Sequence, residues 1–132
     1  MDLPPQLKAD LDRLKSERGL NIESDKKEGE QICVIVKDYP LPKKIWNREK
    51  TNLLVLVPPV YPNAKLDMFW VYPKDLKFAD GGVPQAAECI ENHCGIEWQR
   101  FSRHPEKWNP ARDNIITYFE CIDHWLSQKV TK

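Results

Sequence analysis

Leu53-Leu54-Val55-Leu56-Val57-Pro58-Pro59-Val60-Tyr61-Pro62 is an unbroken apolar run halted by paired prolines and followed closely by a Tyr-Pro pair. Aliphatic and β-branched residues in so short a run read as a β-strand over residues 51–57, and the prolines end it because they carry no amide donor for a ladder. Upstream, residues 31–38 carry Ile32, Val34, Ile35 and Val36 and stop before Tyr39-Pro40-Leu41-Pro42, giving a second strand. Downstream, residues 66–72 carry Met68, Phe69, Trp70 and Val71 and end at Pro73, giving a third. Parallel strands need crossovers of about a dozen residues or more, so connections this short predict an antiparallel meander.

Helices flank the meander. Leu3, Leu7, Leu11 and Leu14 form one apolar stripe over residues 3–18, with Lys8, Asp10, Asp12, Arg13, Lys15 and Glu17 on the other faces. Pro4 and Pro5 suit a first turn and Gly19 a stop. The polar residues Glu23-Ser24-Asp25-Lys26-Lys27-Glu28-Gly29-Glu30 then read as a turn or loop. At the other end, Asn109 can cap a helix over residues 110–128 that begins with Pro110 and has Asp113 near its positive pole. Ile115, Phe119, Ile122 and Leu126 line its inner face, widened by Ile116 and Trp125.

Between the third strand and this helix regular signals fade. Asp80-Gly81-Gly82-Val83-Pro84 is turn chemistry. Residues 85–94 read as a short helix holding Cys89 and His93 one turn apart, and Ile96–Phe101 as a brief strand or extended piece. So long an irregular stretch inside a compact domain is usually functional or disordered. Trp98 and Trp108 argue for order, so any chemistry is expected between Val83 and Trp108. The expected architecture is a single α+β domain over residues 1–132: N-terminal helix, antiparallel meander, irregular active-site segment, C-terminal helix.

The composition excludes several classes. The 132 residues suit one domain, and 41% hydrophobic with 30% charged residues provide a core and a polar surface. Lys+Arg and Asp+Glu balance at 20 each, so no global field favours nucleic acid or an anionic membrane, and neither is expected as a partner. No apolar run approaches the roughly 20 residues of a bilayer span. Met1-Asp2-Leu3-Pro4-Pro5-Gln6 has neither the basic start nor the apolar stretch of a secretory leader, which leads us to expect a cytoplasmic protein. The four cysteines, Cys33, Cys89, Cys94 and Cys121, are scattered unlike a disulfide framework, so reduced thiols are expected.

Helix, three-strand meander, proline-rich turn, irregular segment and closing helix resembles the order of the ubiquitin-conjugating fold. Leu53–Val57 running through Pro58-Pro59 to Tyr61-Pro62 resembles that family's passage between its second and third strands, and Trp108-Asn109-Pro110 resembles its Trp-Ser-Pro landmark. Trp98-Gln99-Arg100-Phe101-Ser102-Arg103-His104, followed by Trp108, is similar to a stretch of the prokaryotic branch called family E. The resemblance covers nearly the whole chain. It implies partnership with a ubiquitin-like protein, an adenylating activating enzyme and often a deconjugating peptidase. It also implies that the first helix, with Lys8, Arg13 and Lys15, meets the activating enzyme.

The chain departs from the family where the chemistry should lie. No His-Pro-Asn is present, and His104-Pro105-Glu106 lies too near Trp108 to replace it. The family's cysteine stands about eight residues before its Trp; here that count reaches Arg100, and the nearest nucleophile is Ser102. A serine can carry an acyl group as an oxyester if a base takes its proton. His104 lies two residues on, and in extended chain the two face the same side. Arg100 and Arg103 could stabilise an oxyanion or a carboxylate. The equally ordinary reading of Ser102, Arg103 and His104 is a hydrogen-bonded turn. Cys94, beside His93 and Gly95, and Cys89 are the thiol alternatives, while Cys33 and Cys121 read as packing residues. Cys89, His93, Cys94 and His104 make only one weak ligand cluster, and no phosphate loop or paired carboxylates appear, so no metal or cofactor is expected. Two functions follow: a carrier accepting the C-terminus of a ubiquitin-like protein and passing it to a target amine, or a catalytically inactive scaffold that binds the same partners.

Overall fold

The computed structural model describes residues 2–131. The first helix, α1, spans Pro5–Arg18 and buries Leu7, Leu11 and Leu14, with Asp10 beside them. It ends at Gly19, whose left-handed φ of 64° lets its N–H reach the Lys15 carbonyl. Six strands follow: β1 (Asn21–Glu28), β2 (Gln31–Pro40), β3 (Lys50–Val57), β4 (Phe69–Tyr72), β5 (Cys89–His93) and β6 (Ile96–Phe101). The closing helix, α2, spans Ile115–Leu126. The strands form one antiparallel sheet in the order β1-β2-β3-β4-β6-β5. The expected α+β architecture and meander are present. No helix among the described residues is long and apolar enough to cross a membrane.

The run at β3 is continuously apolar because both faces of the sheet are covered. Leu53, Val55 and Val57 join Val34, Val36, Phe69 and Phe101 in a core packed under Leu7, Leu11, Tyr118, Phe119 and Ile122 from the helices. On the opposite face Cys33, Ile35, Leu54, Leu56, Trp70 and Trp98 form a second cluster, edged by Met68, Cys94 and Ile96.

Four expectations are corrected. Residues 23–30 are not a loop: residues 21–28 form β1, paired from Asn21↔Lys37 to Glu28↔Gln31, and only Gly29-Glu30 turns. An edge strand with a single buried residue, Ile22, has no apolar alternation to betray it. Residues 85–94 do not form a helix; Cys89–His93 is a strand hydrogen-bonded to β6. Its turn, Cys94-Gly95, has positive φ at both positions (56° and 81°), the pattern of a tight hairpin turn that matches strand twist. The final helix begins at Ile115, not Pro110: Asn114 is the cap, its side chain accepting from the N–H groups of Ile116 and Thr117 while Thr117 Oγ1 accepts from the Asn114 N–H. Asn109 instead closes a preceding turn, accepting from the Ala111 N–H at 3.0 Å. Finally, Cys33 and Cys94 are joined in a disulfide. The β5–β6 turn reaches back over the outer face to β2, bringing together two cysteines 61 residues apart in sequence.

The two sequence landmarks meet in space. Trp108 Nε1 donates to the Pro62 carbonyl at 2.9 Å. Tyr61 Oη donates to Asp10 Oδ2 at 2.6 Å and accepts from the Ile115 N–H at 2.8 Å, fastening α1, the Tyr-Pro corner and α2 to one another.

Candidate functional site

β6 carries Phe101 into the core and then releases the chain as Ser102-Arg103-His104. This exit is held from two sides. The Ser102 N–H donates to the Ala86 carbonyl at 3.0 Å, and the Met68 N–H donates to the Arg103 carbonyl at 2.7 Å. Arg103 lies over the Phe101 ring, 5.4 Å from its centroid, and its Nη1 donates to the Gln85 carbonyl at 2.8 Å and the Ser102 carbonyl at 3.1 Å. Burial lowers its pKa. Arg103 is therefore a brace for the backbone around Ser102.

The pinned backbone presents Ser102 and His104 on one side, as extended geometry requires. Ser102 Oγ lies 3.3 Å from His104 Nε2. His104 Nδ1 lies 2.5 Å from Asp67 Oδ1. Asp67 precedes β4, and β4 pairs with β6 from Phe69↔Phe101 onward, so the sheet register sets the carboxylate beside the imidazole. With Nδ1–H donating to Asp67, Nε2 holds the lone pair that can accept the Ser102 proton. The sequence exposes Ser102 and His104 as neighbours but not Asp67, which lies 37 residues from His104 and carries no motif of its own.

His104 also borders a cleft of ≈ 800 Å³ between the segment after it and α2, with Lys107, Glu120, Cys121, His124 and Trp125 on its walls. The relay is reachable from water: the His104 side chain is 51% exposed and that of Asp67 35%. A serine, a base with a free nitrogen and a carboxylate that fixes the base are the parts needed for acyl transfer through an oxyester.

The other candidates lie elsewhere. Arg100 turns to the outer face, where Nη1 donates to Glu91 Oε2 at 2.7 Å. Cys94 Sγ is bonded to Cys33 and is not a free thiol in this form. Cys89 is exposed on β5, its Sγ 3.8 Å from Glu91 Oε2. Cys121 lies half-buried in the cleft wall, where burial, Asp113 and Glu120 push its thiol pKa up and disfavour the thiolate. His93 is held between Glu28 Oε2 at 2.6 Å and Glu91 Oε1 at 2.9 Å, occupying both ring nitrogens. Among the described residues no three His, Cys, Asp or Glu side chains gather as a metal site. On α1, Lys8 pairs with Asp12 and Arg13 with Glu17 along the exposed face.

No curated protein and no solved structure matches the chain. The family model that does match is the one described as prokaryotic E2 family E, over residues 7–129, from the first turns of α1 to beyond α2. Its span takes in the Tyr-Pro corner, the Ser102 relay and the Trp108 landmark, and the helix–sheet–helix order agrees with an E2-like fold. The chain belongs to prokaryotic E2 family E.

Proposed function

We propose that this chain is the acyl carrier of a ubiquitin-like conjugation pathway, with Ser102 as its acceptor. The observation that carries the reading is the Ser102–His104–Asp67 relay at the exit of β6. Family membership supports interaction with a ubiquitin-like protein and an activating enzyme. In the loading step, Ser102 Oγ attacks the C-terminal carbonyl carbon of the activated ubiquitin-like protein. His104 Nε2 takes the hydroxyl proton and passes it to the activating enzyme's leaving group as the bond to that group breaks. In the transfer step, a target amine attacks the oxyester carbonyl and gives a proton to His104 Nε2, which passes it to Ser102 Oγ as the C–Oγ bond breaks. Arg103 keeps Ser102 in place. Adenylation consumes ATP, which a cytoplasmic pathway can draw on, and a deconjugating peptidase would reverse its product.

The test mixes the chain with its ubiquitin-like protein, the activating enzyme and ATP. The expected product is a covalent adduct that survives thiol reductant, is cleaved by hydroxylamine and is absent with Ser102→Ala. A reductant-cleaved adduct would move the nucleophile to Cys89 or to a reduced Cys94. Binding without any adduct would leave the inactive scaffold.

A further inference from the structure

We infer that the chain is also an esterase: the Ser102 relay hydrolyses activated acyl esters, its own loaded form included, with water as the acceptor. This rests on Ser102 being the nucleophile, as proposed above, but needs neither partner protein.

The argument comes from what surrounds the relay. Once Ser102 is acylated, its proton has left with the first leaving group, and His104 Nε2 is again a base. That nitrogen belongs to a half-exposed ring at the edge of the ≈ 800 Å³ cleft, and Asp67 continues to hold the opposite nitrogen. Carrier chemistry and hydrolysis then differ only in which nucleophile reaches His104, the one relay residue that borders the cleft. A water hydrogen-bonded to Nε2 stands where a target amine would. Its oxygen bonds to the ester carbonyl carbon, its proton passes to His104 and then to Ser102 Oγ as the C–Oγ bond breaks, and the free acid leaves. The half-exposed ring leaves water a path to Nε2.

The experiment uses the full chain with p-nitrophenyl acetate and p-nitrophenyl butyrate. The expected result is a burst of about one nitrophenolate per chain, then slower turnover, with the acyl group found on Ser102 by peptide mass. Ser102→Ala should return the rate to that of buffer, and His104→Gln should lower it on the order of 100-fold, the usual contribution of a positioned general base. Asp67 acts through His104 as a positioning residue. Asp67→Asn should therefore lower the rate, and Asp67→Glu should restore part of it, which a merely structural loss would not do. Cys89→Ser should leave the rate unchanged. Wild-type turnover in a folded Ser102→Ala, or acylation confined to lysines without turnover, overturns the inference. An adduct of the ubiquitin-like protein on Ser102 in a chain inert to both esters sinks the esterase alone. Ester turnover through Ser102 without that adduct sinks the carrier alone.

Discussion

Two buried or half-buried side chains show how single residues hold the frame of the site. Asp10 is 3% exposed and accepts from Tyr61 Oη, while Gln6 Nε2 also donates to it. Burial, reinforced by that bond, holds the Tyr61 hydroxyl protonated far above the usual phenol range, so Tyr61 stays a donor. Asp10→Ala leaves that donor without its acceptor and should cost about 2–3 kcal/mol, read from urea unfolding, with Asp10→Asn costing less. His93 gives a pH signature. Burial opposes its charge, but the hydrogen bonds to Glu91 and Glu28 outweigh it and raise its pKa. A raised folded value contributes stability fully present below the ordinary imidazole range and lost as pH rises through the raised value. The urea midpoint of wild type should therefore exceed that of His93→Gln at pH 5.5, and the gap should shrink by pH 8.5. Ser102 and His104 are legible as a pair because adjacency in sequence guarantees adjacency in space. Asp67 and Glu28 are not, because only strand pairing brings them to their partners.

Elements were legible in proportion to their apolar patterning. The leucine stripe of α1 and the runs at β2 and β3 lie where periodicity places them, since each buries a face. β1 and β5 are edge strands with mostly exposed side chains, and their backbone pairing leaves no trace in hydrophobicity. The start of α2 was obscured by two Asx residues, Asn109 and Asn114, either able to cap. The capping box with Thr117 selects the second. Asn114→Ala should destabilise the fold by about 1 kcal/mol, whereas Asn109→Ala, which loosens only a turn, should cost less, both seen in thermal unfolding.

At the scale of the whole fold, the sheet carries a core on each face, and among the described residues only the outer one has a covalent tie. Cys33 and Cys94 join β2 to the β5–β6 turn across 61 residues, and in the chain-entropy account a loop of that length stabilises by roughly 4 kcal/mol. Reductant should lower the melting temperature of wild type and leave Cys33→Ser unmoved. The spacing of cysteines could not announce this tie, because it depends on a hairpin folding back over strands that separate its ends from β2. The Tyr-Pro and Trp-Asn-Pro landmarks, by contrast, are each readable in sequence, and the fold brings them into contact through Trp108 and Pro62.

The same bond decides what a protease would leave behind. Lys43 and Lys44 stand exposed in the connection between β2 and β3, inside the span that the disulfide closes. A tryptic nick there severs the backbone but not the molecule: the two pieces should migrate together on a gel without reductant and separate once it is added.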